Sequence, residues 1–231
     1  MSSIPSGETI ITDQPRYLLQ LAGTLAILLW VPTNIGKAIT LLIWWLVTFG
    51  KPSRIETGFY LVACVFFSVM NVMSLRQGIF SFTHPDLLGM PWYEFFMWGF
   101  YLLHTLRILK GPAVVDKRGV TWGLAICFAV AFGSISDQNI LLAVTALLLV
   151  TGLGFFHTAY DLAYTGYMVA LGAAIEFTGV YSGQWSYPGT PISGVPLWFI
   201  TLWGGVGLLL YRLVLPALVQ LRDKQGTKLY D

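Results

Sequence analysis

Charge is what this sequence has least of. Only 10% of its 231 residues are Asp, Glu, Lys or Arg, where a soluble globular domain carries about 25%. A net charge of +2 without any basic stripe excludes nucleic acid as a partner. Cysteine is also scarce. Cys64 and Cys127 lie in separate apolar runs, which excludes a disulfide framework and a cysteine-based metal site, and both read as small core hydrophobes. No Walker loop, dinucleotide fingerprint, zinc-protease helix or nucleophile elbow is present. No lysine lies deep in the last apolar run, which argues against a retinal-binding protein. There is no internal repeat and no low-complexity tract. Residues 1–16 hold Glu8 and Asp13 where a signal peptide needs positive charge, so they read as a retained polar tail.

What is present in excess is hydrophobicity, 56% of residues, with a mean hydropathy of +0.70. Such a chain has lipid as its main solvent. Apolar runs fall at 17–34, 36–50, 58–75, 90–109, 119–136, 138–155, 157–180 and 195–216. About 20 apolar residues cross the hydrocarbon core. The first two runs are short, and Pro32, Asn34, Gly36 and Lys37 part them, so they form either a tight hairpin of two spans or one broken helix. With eight spans, Arg16, Lys51, Arg54, Lys110, Lys117, Arg118, Arg222, Lys224 and Lys228 share one side, and only Lys37 and Arg76 fall on the other. Positive charge marks the cytoplasm. The expected fold is therefore an all-α, multi-pass transmembrane helical bundle of eight spans, seven being the alternative. Its C-terminus is cytoplasmic and its expected location is the plasma (inner) membrane. The domain reading is a polar tail at 1–16, one transmembrane domain at 17–216 and a cytoplasmic tail at 217–231.

Ionisable groups inside a membrane are costly and mark functional candidates. Counting at 1.5 Å per residue sorts them by depth. Glu94 lies one turn below the outer surface, and His104 is roughly 15 Å deeper on the same helix. The seventh run ascends from His157 and Asp161 near the inner side to Glu176, roughly 22 Å away near the outer end. An outer layer of Glu94, Glu176 and Asn71 is thus expected beneath the 181–194 loop. Trp92, Trp98, Tyr101, Trp185 and Tyr187 are close enough in sequence to wall it. Two carboxylates at one depth in low dielectric yield an acid able to donate a proton beside an ionised partner. Aromatic faces stabilise developing positive charge. This equipment suits protonation of an alkene or an allylic group on a lipid. The alternative is that each carboxylate bonds a backbone or Trp N–H and locks two helices together.

An inner layer joins His104, His157 and Asp161, with Arg107 or Arg212 as further members. His157 and Asp161 are spaced to share a helix face. They fit an oriented general base or, with His104 as third ligand, a metal such as Zn, Fe or Cu. A neutral His bonded to Asp is the simpler alternative. His84 reads as a solvated loop residue. Gly166, Gly172 and Gly179, with Gly204, Gly205 and Gly207, are the close-approach points of the last two spans.

The string from Ile175 to Trp198, IEFTGVYSGQWSYPGTPISGVPLW, carries an acid followed by glycines, an aromatic pair and a Gly-Val-Pro opening the next span. Those residues are Glu176, Gly179, Gly183, Trp185, Tyr187, Gly194, Val195 and Pro196. This stretch, about a tenth of the chain, resembles the integral membrane carotenoid hydratases, the carotenoid biosynthesis proteins. The resemblance implies acid-catalysed addition of water to the end of a long isoprenoid, with Glu176 as the acid and Trp185 and Tyr187 as wall residues.

The leading expectation is thus a membrane-embedded enzyme acting on a lipid or isoprenoid. Glu176 and Glu94 are its catalytic pair, and His157 with Asp161 form a second candidate centre. Trp98, Tyr101, Trp185, Tyr187 and Asn71 would bind substrate. This reading requires no cofactor, and a metal ion is the alternative at His104, His157 and Asp161. Its partners are membrane lipids, a further membrane protein or a second copy of the chain. Rival readings are a small proton-coupled transporter and a non-catalytic subunit of a larger membrane complex.

Overall fold

The computed structural model describes residues 15–189 and 194–225. The proposed polar tail lies outside the described residues except for its last two positions, as do residues 190–193 of the outer loop and the end of the C-terminal tail. The fold is all-α. The helices are α1 (Pro15–Trp30), α2 (Asn34–Phe49), α3 (Arg54–Arg76), α4 (Glu94–Ile108), α5 (Arg118–Ser134), α6 (Gln138–Phe155), α7 (Ala159–Tyr181), α8 (Trp198–Leu209) and α9 (Leu215–Gln225). A π-helical turn, Leu210–Val214, fuses α8 and α9 into one rod. Each expected apolar run therefore corresponds to a separate helix, and the first two form distinct helices. Pro32 cannot donate to a helix ladder. Thr33 then starts α2 as its N-cap, its hydroxyl accepting from the Gly36 amide at 3.2 Å. Arg54–Arg76, Gln138–Phe155 and Trp198–Lys224 are long and apolar enough to cross a membrane. At 16 residues each, α1 and α2 reach only about 24 Å. The last helix continues past the expected end of its run, carrying Arg222 and Lys224 in its final turn.

Contacts divide the chain into two compact units. The first holds α1 to α3, α4 as far as His104, and the chain from Ala173 to Pro196. Gly23 leaves room for the Trp44 ring between α1 and α2. The indoles of Trp44 and Trp45 donate across to the Gln20 carbonyl (3.0 Å) and the Thr24 hydroxyl (3.1 Å). Trp45 also stacks on Phe100 of α4 with centroids 4.4 Å apart. A capping box of Ser53 and Glu56 starts α3. Its exposed faces carry Val62, Val65 and Phe66, suited to lipid. Two short antiparallel strands, β1 (Ser81–Phe82) and β2 (Trp185–Ser186), pair Ser81 with Ser186 and Phe82 with Trp185.

The second unit runs from Thr105 to Gly172 and from Leu197 onward. Its helices meet where side chains are missing. Gly207 lies against the Tyr164 carbonyl, Gly172 against the Trp203 ring and Gly205 against Phe128. This is the small-residue packing by which apolar helices associate in lipid. Thr145 and Thr201 add a 2.7 Å hydroxyl pair. Lys117 reaches the Phe155 carbonyl at 2.9 Å and so covers the C-terminal end of α6.

Candidate functional site

In the first unit, three helices and a loop bring carboxylates and their donors together. Asn71, in the last two turns of α3, donates to Glu94 Oε1 at 3.0 Å. Glu94 opens α4, following the turn that places the Tyr93 ring in the core. Glu176, late in α7, is 8% exposed. Its Oε2 accepts the Trp185 indole N–H at 3.1 Å and the Tyr187 hydroxyl at 2.6 Å. Both carboxylates belong to this unit. Trp98 stacks on Phe67 with centroids 4.0 Å apart and meets Tyr101 edge-on at 5.8 Å. Asn71 with Glu94, and Trp185 and Tyr187 with Glu176, thus form two bonded clusters in this unit, Trp98 and Tyr101 lie buried edge to face, and Trp92 is exposed.

The segment that supplies the donors is itself held. Gly183 turns the chain with φ +70°, a left-handed conformation natural to glycine. Gly179 leaves the space that the Trp185 ring fills. Gln184 accepts from Lys37 Nζ (2.9 Å) and the Tyr93 hydroxyl (2.8 Å), and donates to the Leu28 carbonyl (3.1 Å) and the Ser182 hydroxyl (2.7 Å). Asn34 donates to the His84 carbonyl and to Asp86, fastening the 76–89 loop. The His84 side chain is exposed.

Two solved structures of an Insig homologue resemble this fold. One is a mycobacterial Insig homologue, MvINS from Mycobacterium vanbaalenii. It aligns with a TM-score of 0.57 and 14% identity over 70% of this chain and 94% of that one. The other is a cross-linked MvINS trimer, with a TM-score of 0.59 and 13% identity over 76% and 97%. The chains share a fold. Identity this low carries the architecture alone, an all-helical integral membrane protein. No protein-family model matches the chain, and no curated protein does either.

The expected inner layer takes a different form. His157 precedes α7, which begins at Ala159, so His157 and Asp161 do not share a helix face. Thr158 caps the helix instead. Asp161 accepts from the Thr158 amide (2.8 Å) and hydroxyl (2.7 Å), and the Asp161 amide donates back to that hydroxyl at 3.3 Å. Both oxygens of Asp161 also take the Arg212 fork, at 2.5 and 2.6 Å. Arg212 bonds Asp116 as well, at 2.7 Å. His104 is wholly buried with Nδ1 2.8 Å from Gln20 Oε1, and Gln20 in turn donates to Thr48. His157 is exposed. Among the described residues no three His, Cys, Asp or Glu side chains come together to hold a metal. The proposed ligand set of His104, His157 and Asp161 is therefore not formed, because Asp161 is committed to a guanidinium and a helix cap. The same commitment removes the His157–Asp161 general base.

Sequence reasoning named Arg212 only as an accessory and missed Asp116, Lys37, Gln20 and Gln184. The T-x-x-D spacing at Thr158 and Asp161 was a usable capping signal. Nothing local marks Gln184, whose partners Leu28 and Lys37 are 156 and 147 residues away.

Proposed function

We propose that this chain is a lipid-handling membrane protein whose Glu94–Glu176 pair performs acid–base chemistry on an isoprenoid or similar unsaturated lipid. The observation that carries the reading is the buried Glu176 carboxylate, held by Trp185 and Tyr187, in a unit that also holds the Asn71-bonded Glu94. The resemblance of residues 175–198 to carotenoid hydratases suggests hydration of a terminal alkene. In that reaction Glu176, protonated, gives its proton to one alkene carbon. The cation formed on the neighbouring carbon faces the aromatic rings of Trp98 and Tyr101, whose π-clouds favour positive charge. Water attacks the cation, and Glu94, ionised and aligned by Asn71, takes the released proton. The product is an alcohol, and proton transfer from Glu94 to Glu176 restores the pair. Tyr187 and Trp185 fix the acid's orientation, so it need not reorganise during the step. The plasma membrane is the proposed location.

The test uses the purified full chain in nanodiscs with lycopene as probe and oxygen-labelled water. Labelled alcohol is expected from the native chain. Glu176→Gln, nearly isosteric, should lower the rate by about 10²–10⁴, the usual worth of a positioned acid or base. Undiminished turnover in Glu176→Gln removes the assignment.

A second reading is a non-catalytic lipid-binding subunit that works as an oligomer. The fold likeness to an Insig homologue, one structure of which is a cross-linked trimer, favours it. So does the doubly bonded Oε2 of Glu176, an arrangement that also suits a purely structural carboxylate. Retention of lycopene without any product, in a chain that sediments as a trimer, would select this reading.

A further inference from the structure

A second polar site lies in the other unit, on the side where the basic residues cluster. A cleft of about 200 Å³ opens where the first turn of α5 faces the π-helical turn and the start of α9. Asp116, Arg118, Trp122, Arg212, Pro216 and Gln220 are among the residues that line it. This volume is below that of a pocket for a drug-sized ligand, and it matches a headgroup. Arg212 sits inside the π turn, a helix irregularity that often accompanies function. Its guanidinium joins two carboxylates, the wholly buried Asp161 and Asp116, whose side chain is 45% exposed. One guanidinium is shared between two carboxylates, and Asp116 is the one that reaches the cleft. Arg118, exposed on the same rim, supplies a positive charge. The Trp122 ring, 57% exposed, and Pro216 form an apolar edge of the kind that suits a lipid interface.

We infer that this cleft binds the zwitterionic phosphoethanolamine headgroup of a membrane lipid. The primary ammonium donates to Asp116 and the phosphate lies on Arg118. The glycerol and acyl chains leave along Trp122. A trimethylammonium has no N–H to give to Asp116, and a phosphoglycerol has no cation, so both should bind less well. The inference stands apart from the Glu94–Glu176 reading, because it uses other residues in the other unit.

Native mass spectrometry of the full chain with equal amounts of phosphatidylethanolamine, phosphatidylcholine and phosphatidylglycerol tests it. Phosphatidylethanolamine should be retained several-fold over the other two. Asp116→Asn should bring its retention down to that of phosphatidylglycerol. Arg118→Gln, at an exposed position that leaves the buried ion pair intact, should lower the retention of every phospholipid. Equal retention of all three by the native chain, or a preference unchanged by Asp116→Asn, would overturn the inference. Free phosphoethanolamine that raises the unfolding midpoint as much as the lipid does would overturn the lipid as its source.

Discussion

At the scale of single residues, the two polar centres differ in what they ask of their side chains. Glu176 depends on donors from the loop that follows its own helix. Tyr187→Phe deletes only a hydroxyl 2.6 Å from the carboxylate. A buried hydrogen bond between neutral groups is worth about 0.5–1.5 kcal/mol, so the variant should lower the unfolding midpoint in detergent. Tyr181→Phe, at a position 72% exposed, should leave it unchanged. Asp161 depends on a partner 51 residues away. Arg212→Met leaves a carboxylate with no exposure and no countercharge, a loss of about 3–5 kcal/mol. The double variant Asp161→Asn with Arg212→Met should recover much of that loss, because it removes the stranded charge. Thermal denaturation of both variants, followed by circular dichroism, checks the pair. A double variant no better than the single one would show that the ion pair does more than neutralise itself.

At the scale of elements, glycines decide which helices can approach. A methyl group at Gly207 would collide with the Tyr164 carbonyl, a backbone atom unable to rotate away. Gly207→Ala is therefore expected to force α8 from α7 and to lower folded yield sharply. Gly123 on α5 has open space around its Cα. Gly123→Ala should be neutral or slightly stabilising, since alanine favours the helix by up to about 1 kcal/mol. Size-exclusion profiles of the two variants in one detergent distinguish these outcomes. The helices themselves were legible in the sequence, because runs of apolar residues broken by Pro, Gly and charge are the primary signal in a lipid-soluble chain. Pro32, Asn34, Gly36 and Lys37 marked the break between α1 and α2 but left a hairpin and a broken helix both open; the Thr33 cap decides for two helices. The Asn71–Glu94 bond was legible as well, because counting residues along α3 and α4 from the loop between them puts the two side chains at one depth. The inner site was misread for a local reason. An i, i+4 argument holds only inside a helix, and α7 starts after His157. The Gln184 hub and the Asp116–Arg212 pair were not legible, because they join segments far apart in sequence through single side chains.

At the scale of the whole molecule, each functional assignment rests on the sides to which the chain's ends and loops are delivered. The carboxylate pair is read as an outer site and the Arg212 cleft as an inner one because basic residues crowd the links after α2 and α4 and the last turn of α9. The fold shared with an Insig homologue supports a multi-pass helical membrane protein. The most direct test of the account is cysteine accessibility in sealed vesicles, with Cys64 and Cys127 first replaced by serine and alanine. Single cysteines at Lys117 and Arg222 should react from the cytoplasmic face, and one at Thr83 from the opposite face. Lys117 and Arg222 reacting from opposite faces would contradict the ordering and the two sites placed by it.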